Sequence, residues 1–133
     1  INLYGVAFMT RAALPAMIEN GGGRVITIVS DSGRVGDPNL AMYGASKAAA
    51  IALMRSIAAE VGPLGVTCNA ISLSTIVMEG MSEEMQAKLG NRYPLKRLGE
   101  PADVAGAVAY FASPAAKWVT GQTLSVNGGN VRI

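Results

Sequence analysis

"RVITIVS", residues 24–30, is the stretch that decides the fold. It is a short run rich in β-branched residues, bounded by GGG at 21–23 and by DSGRVGDPN at 31–39. This pattern predicts a strand that is buried on both faces, followed by a loop. VTCNAIS at 66–72 predicts a second buried strand, and QTLSV at 122–126 predicts a third.

Helical patterns separate these strands. We expect helices over Leu3 to about Glu19, over about Ala41 to Val61, and from Pro101 onward. A short amphipathic helix is also expected between residues 72 and 94. Helices that alternate with buried strands predict an α/β fold, a doubly wound parallel sheet of the Rossmann-like kind.

Composition excludes several classes of function. The net charge of +2 is spread in singles and pairs, so no basic stripe predicts a nucleic-acid partner. The chain has no histidine and one cysteine, Cys68, which argues against a metal site, a histidine-based triad or an internal disulfide. We expect Cys68 to be a buried, inert thiol in a cytoplasmic protein. The longest apolar run, Ala48 to Met54, is too short for a membrane span.

The second predicted helix begins with a tyrosine and a lysine four residues apart, Tyr43 and Lys47, on one helix face. An ammonium about 4 Å from a phenol, at an effective dielectric near 20, stabilises the phenolate by about 4 kcal/mol. The pair is therefore suited to general acid/base chemistry. The same spacing also fits a surface tyrosine beside a solvated lysine.

Ser30 ends the first strand, 13 residues before Tyr43. Because ligands bind at the carboxyl ends of parallel strands, its hydroxyl is expected near the chemistry. The alternative is a hydroxyl that only forms the turn after the strand.

GRVITIVS followed by YGASK at this spacing closely resembles the short-chain dehydrogenase/reductase family. INLYG, GVTCNAIS, RLGEPADVAGAVAYFAS and VTGQTLSVNGG resemble later family segments in the right order. The resemblance implies an NAD(P)-dependent oxidoreductase that transfers a hydride between NAD or NADP and a small carbonyl or alcohol substrate.

The resemblance also implies roles for individual residues. Tyr43 would be the general acid/base, and Lys47 would tune it and bind the cofactor ribose. Ser30 would hydrogen-bond the substrate oxygen. Asn2 would hold a proton-relaying water through its backbone carbonyl, although a helix-capping role fits its position equally well. The cofactor contacts would come from Tyr43, Lys47, Leu73, Ser74, Ile76 and Met78.

One segment departs from the family pattern. Leu73 and Ser74 stand where the family has Pro-Gly, and Met78 stands where it has a threonine. A backbone contact survives the first change, whereas a thioether cannot replace a hydroxyl donor. A non-catalytic structural or regulatory family member therefore remains an alternative. An epimerase or dehydratase that uses the same Tyr-Lys pair is a second.

The chain begins INLYG, without an initiator methionine, and runs at once into a helical pattern. We expect residues 1–133 to be the C-terminal catalytic part of one dinucleotide-binding domain, with the N-terminal cofactor loop absent. The helix over Ala41 to Val61 has a face of small residues that would let another helix approach closely. The family resemblance implies a subunit interface on this helix and the one before it, and so a homo-oligomer, either a dimer or a tetramer; coverage of the face by other parts of the same protein is the alternative. Met78, Met81 and Met85 fit either an apolar substrate pocket or ordinary packing.

Overall fold

The computed structural model describes all 133 residues. Its elements, in chain order, are α1 (Tyr4–Glu19), β1 (Gly23–Ser30), α2 (Ser32–Val35), α3 (Ala41–Val61), β2 (Val66–Leu73), α4 (Glu83–Gly90), α5 (Pro101–Ala112) and β3 (Thr123–Val126). Short 3-10 turns follow α3 and α5. None of the helices combines the length and the apolar character that a membrane crossing needs.

The three strands form one parallel sheet in the order β1-β2-β3. Ser30, the last residue of β1, is in register with Leu73 of β2, and Leu73 is in register with Val126 of β3. The carboxyl ends of all three strands therefore meet at one edge of the sheet. The predicted parallel arrangement is confirmed.

Helices cover both faces of this sheet. On one face, α1 and α3 pack against the strands around Met54, Val66 and Cys68. On the other face, α5 packs around Ile71 and Phe111. The crossover from β1 to β2 thus lies on the opposite face from the crossover between β2 and β3, which is the doubly wound arrangement.

The prediction that β1 is buried on both faces is wrong. Val29 is buried under the α3 side, whereas Ile28, which points to the other face, is 41% exposed. The reason is positional, because α5 packs over β1 only as far as Ile26 and β1 has a single neighbouring strand. The central strand β2 is buried along all but its last residue, as predicted.

The segment 31–39 is also not a plain loop. Residues Ser32–Val35 form α2, one helical turn. The carbonyl of Asp31 starts this turn by accepting hydrogen bonds from the backbone N–H groups of Arg34 at 2.8 Å and Val35 at 3.0 Å. Four residues are too few for a helical periodicity to show in a sequence.

Candidate active site

A cavity of about 390 Å³ lies at the carboxyl edge of the sheet. Its walls come from the ends of β1 and β2, from the first turn of α3, from the segment after α4, and from the last residues of the chain. The lining includes Ser30, Tyr43, Leu73, Ser74 and Arg92. The sheet topology therefore gathers residues that are far apart in the chain around one space.

Ser30 reaches this cavity because it ends β1, with its hydroxyl beside α2. The Ser30 Oγ donates to the Ser32 Oγ at 3.3 Å and accepts from the Ser32 backbone N–H, also at 3.3 Å. The Ser32 hydroxyl in turn donates to the Asp37 carboxylate. Both Ser30 bonds are long, so the hydroxyl can turn toward a bound oxygen atom at little cost.

Tyr43 and Lys47 occupy the first turns of α3. The Tyr43 side chain is 37% exposed and lines the cavity. The Lys47 Nζ lies 5.8 Å from the centroid of the Tyr43 ring and donates to the carbonyl of Ile28 at 3.2 Å. Since an ammonium carries three donors, two remain for other partners. The structure thus brings Ser30 and Tyr43 to one cavity and places Lys47 against the tyrosine.

Two glycines lie where α2, which follows Ser30, meets α3, which carries Tyr43. A Cβ on Gly33 of α2 would lie 2.7 Å from the backbone nitrogen of Ala48, and a Cβ on Gly44 of α3 would lie 2.8 Å from the carbonyl oxygen of Ser32. Real Cβ atoms do not approach backbone so closely. The absence of side chains at Gly33 and Gly44 therefore lets α2 pack directly on α3.

Asn2 lies in the turn before α1 and is exposed. The helix cap is Leu3 and makes no side-chain capping bond, so the capping role considered for Asn2 is wrong. The carbonyls of Ile1 and Leu3 accept hydrogen bonds from Gly5 and Ala7, whereas the Asn2 carbonyl between them accepts none from the backbone. That carbonyl is free to accept a bond from water.

The residues predicted to contact the cofactor divide into two groups. Leu73 and Ser74 line the cavity. Ile76 and Met78 do not, and Met78 is 65% exposed. Ile76 forms a parallel bridge to Gly99. The two hydrogen bonds of this bridge run from the Val77 N–H to the Gly99 carbonyl and from the Gly99 N–H to the Thr75 carbonyl. The N–H and C=O of Ile76 itself are therefore left without hydrogen-bond partners. A free N–H beside a free C=O matches the acceptor and donors of a carboxamide.

The three methionines considered for the substrate pocket do not line the cavity. Met78 and Met85 are exposed, and Met81 is half-buried outside it. Apolar lining is supplied instead by residues without a recognisable stripe in the sequence, among them Val35, Leu40, Leu89 and Val131. The alternative interpretation, ordinary packing of these three methionines, fits only Met81, because Met78 and Met85 are exposed.

Sequence analysis missed several polar groups at this edge. The buried carboxylate of Asp31 accepts hydrogen bonds from Ser72, Ser74 and Asn127. The buried Tyr93 hydroxyl donates to Thr75 at 2.9 Å. Asp31 directly follows β1 and Asn127 directly follows β3, so the rule that singled out Ser30 would also have found them. Tyr93 lies in an irregular segment and left no signal of this kind.

Cys68 lies on β2, away from the cavity, and is fully buried. Burial raises the pKa of its thiol to about 11 because the thiolate would lose its hydration. The predicted burial of Cys68 is confirmed, and the inertness of its thiol stays a prediction. No group of three or more histidine, cysteine, aspartate or glutamate side chains is arranged to hold a metal ion.

Comparison with known proteins supports the architecture. Residues 1–130 match the family model described as enoyl-(acyl carrier protein) reductase. The chain is 40% identical over 131 residues to the 3-oxoacyl-[acyl-carrier-protein] reductase FabG of Staphylococcus aureus, covering 96% of this chain and 53% of that protein. It is 35% identical over 136 residues to the 7alpha-hydroxysteroid dehydrogenase of Escherichia coli, covering 99% of this chain and 53% of that protein.

Solved structures agree with these relatives. The 3-oxoacyl-[acyl-carrier protein] reductase from Brucella melitensis superposes with a TM-score of 0.91 at 33% identity, covering 99% of this chain and 51% of that one. ElxO with NADP bound superposes with a TM-score of 0.90 at 29% identity, covering 97% and 54%. The chain spans about half the length of the relatives it matches. With the family model, the relatives and the fold in agreement, the chain belongs to the short-chain dehydrogenase/reductase family.

Proposed function

We propose that the whole protein is an NAD(P)-dependent oxidoreductase that interconverts a carbonyl compound and its alcohol. The observation that carries the proposal is the meeting of Ser30 and Tyr43 in one cavity, with the Lys47 ammonium against the Tyr43 ring. A reductase of 3-oxoacyl groups and a hydroxysteroid dehydrogenase among the relatives support this reaction class.

We assign each residue a role in the reduction direction. The Ser30 hydroxyl donates a hydrogen bond to the substrate carbonyl oxygen and stabilises the charge that develops there. The Tyr43 phenol donates its proton to the same oxygen, and in the oxidation direction it takes that proton from the alcohol. The Lys47 ammonium favours the phenolate that remains on Tyr43. The free Asn2 carbonyl binds a water that returns protons toward Lys47.

The residues present fit a nicotinamide cofactor. The unpartnered N–H and C=O of Ile76 would hold the carboxamide, beside Leu73 and Ser74 at the cavity wall. The two spare donors of Lys47, with Tyr43, would hold the ribose hydroxyls. When bound, the nicotinamide supplies or accepts the hydride. Met78 has no hydroxyl that could donate to the carboxamide, so we assign binding of the carboxamide to the backbone of Ile76. NADP in the ElxO structure supports a cofactor of this class, either NAD or NADP.

Replacing the phenol tests this assignment. In the whole protein, Tyr43→Phe should lower kcat by roughly 10²- to 10⁴-fold, the usual contribution of a general acid/base. Binding of NADH and NADPH, measured by calorimetry, should fall far less than kcat, because only the contact of the Tyr43 hydroxyl with the ribose is lost while those of Lys47 and Ile76 remain. Tyr110→Phe is the matched control, since Tyr110 is similarly exposed but lies on α5.

Three outcomes would contradict the proposal. Full turnover by Tyr43→Phe would remove the assigned acid/base. Failure of the wild-type protein to bind either dinucleotide would favour a non-catalytic family member. A product at the same net oxidation level as the substrate, with an inverted centre or with water lost, would indicate an epimerase or a dehydratase.

We further propose that residues 1–133 form the C-terminal part of one dinucleotide-binding domain in that protein, and that this protein is a homo-oligomer. Exposed apolar side chains on α1 support the second point: Tyr4 and Phe8 are 68% and 64% exposed and stack with their centroids 5.9 Å apart. An apolar groove between α1 and α3, which includes Leu14 and Ile57, continues this surface. Light scattering of the whole protein should give a dimer or a tetramer, and Phe8→Lys should shift it toward the monomer.

We also propose a cytoplasmic location. The support is that the one cysteine, Cys68, is a free buried thiol, as expected for a protein of a reducing compartment. Fractionation of cells tests this directly.

A further inference from the structure

Asp31 is the only charged residue among the buried residues of the chain, with 3% of its surface exposed. The one salt bridge joins Arg97 and Asp103, so no cation balances the Asp31 carboxylate. A buried carboxylate without a counter-ion is costly unless hydrogen-bond donors surround it. The position of Asp31 therefore needs an account beyond packing.

Three donors from two other strands and their extensions supply that environment. The Ser72 Oγ donates to one carboxylate oxygen at 2.6 Å. The Ser74 Oγ at 3.0 Å and the Asn127 Nδ2 at 2.8 Å donate to the other. The residue directly after Ser30 thereby joins the ends of β1, β2 and β3.

A second set of bonds continues from these donors to the last residues of the chain. The Asn130 Nδ2 donates to the Ser74 Oγ at 2.8 Å. Asn127 donates to the carbonyl of Val131 at 2.9 Å and accepts from the backbone N–H of Gly129 at 3.0 Å. Asn130 and Val131 line the cavity that Ser30 and Tyr43 share. The segment 127–131 is thus a cavity wall whose side-chain anchors lead back to Asp31.

We propose that Asp31 is a positioning residue that holds the wall formed by residues 127–131 against the catalytic edge, and so sets which substrates fit beside Ser30. Asp31 lies at the cavity but is only 3% exposed, and its carboxylate oxygens accept from Ser72, Ser74 and Asn127, so in this proposal it acts on the substrate through the wall. The inference rests on the proposed function, because the wall matters to specificity only if the substrate binds in this cavity.

The first test uses Asp31→Asn in the whole protein. Asparagine has nearly the same shape but no charge, so the charge-assisted bonds from Ser74 and Asn127 become neutral bonds of about half the strength whichever way the amide is turned. Amide hydrogen exchange of residues 127–131 should accelerate roughly tenfold, because weakening two hydrogen bonds to a charged acceptor is worth about that factor. Asn20→Ala, at the far edge of the sheet, should leave the exchange unchanged. Unchanged exchange in a folded Asp31→Asn protein would overturn the proposal.

The second test measures specificity with two methyl ketones, 2-butanone and 2-decanone. The ratio of their kcat/KM values should change at least about threefold in Asp31→Asn, because the weakened hydrogen bonds would let the wall formed by residues 127–131 move. A merely structural role would lower both values together and leave the ratio unchanged, which would contradict the inference.

Asn127→Ala removes the donor that links Asp31 to the wall without changing a residue that lines the cavity, and it decides the matter if Asp31→Asn does not fold. It should change the ratio in a folded enzyme, and an unchanged ratio would overturn the proposal. If the wild-type protein reduces neither ketone, the proposed function loses support, and hydrogen exchange alone still decides whether Asp31 holds the wall.

Discussion

Gly33→Ala should damage activity through geometry alone. The new Cβ would lie 2.7 Å from the Ala48 nitrogen and 2.8 Å from the Lys47 Cβ, both on the long helix α3. Ordinary contact begins at 3.4 Å, so the four-residue α2 must retreat by about 0.7 Å. The N–H of Ser32 already stands 3.3 Å from the Ser30 Oγ, and this retreat would break that bond.

The expected losses of stability and of kcat follow from that displacement of α2. Overpacking of this kind costs about 1–3 kcal/mol of unfolding free energy. A misplacement approaching 1 Å at the reacting groups lowers kcat by roughly 10- to 100-fold. Both quantities would be measured on the whole protein, the first by urea denaturation and the second with saturating cofactor and substrate.

The control is Gly106→Ala in α5. A Cβ on Gly106 meets no atom within 4 Å, and alanine is the better helix former by about 1 kcal/mol, so this variant should be as stable as wild type or slightly more stable. If Gly33→Ala retains wild-type kcat and stability, the close packing of α2 on α3 does not set the position of Ser30, and the reasoning fails.

Three further predictions concern the core and the charges. Met54→Ala, at a side chain only 1% exposed, should cost about 2–5 kcal/mol in urea denaturation, whereas Met42→Ala, at 84% exposure, should cost almost nothing. Because burial raises the pKa of Cys68 to about 11, iodoacetamide should label it at pH 8 only after unfolding, and rapid labelling of the native protein would contradict this. The hydrogen-bonded Arg97 guanidinium lowers the pKa of Asp103 below its ordinary value of 3.8, so its stabilisation is present above that pH and is lost as the pH falls below it. The difference in Tm between wild type and Asp103→Asn should therefore shrink in acid, and a constant difference would refute this.

The sequence determined the elements and their order. Each strand and long helix was predicted within one or two residues of its observed bounds, because burial imposes a local hydrophobic period on the chain. The sequence also indicated Ser30, Tyr43 and Lys47 as candidate site residues. Their spacing, and their positions at the end of a strand and the start of a helix, are local features of the chain. The family resemblance came from the same motifs, and the comparisons confirm it.

Only the tertiary structure decided which residues line the cavity and which hydrogen bonds support them. Asp31 and Asn127 are 96 residues apart in the chain and hydrogen-bond each other, and Tyr93 reaches Thr75 from an irregular segment. The exposure of Ile28 depended on how far α5 extends over β1, which no property of the strand itself records. Contacts between distant segments depend on strand register and helix packing, and a side chain that serves such a contact obeys no local period. For this reason the candidate site residues at the strand end and the helix start could be predicted from the sequence, whereas the residues that support them could not.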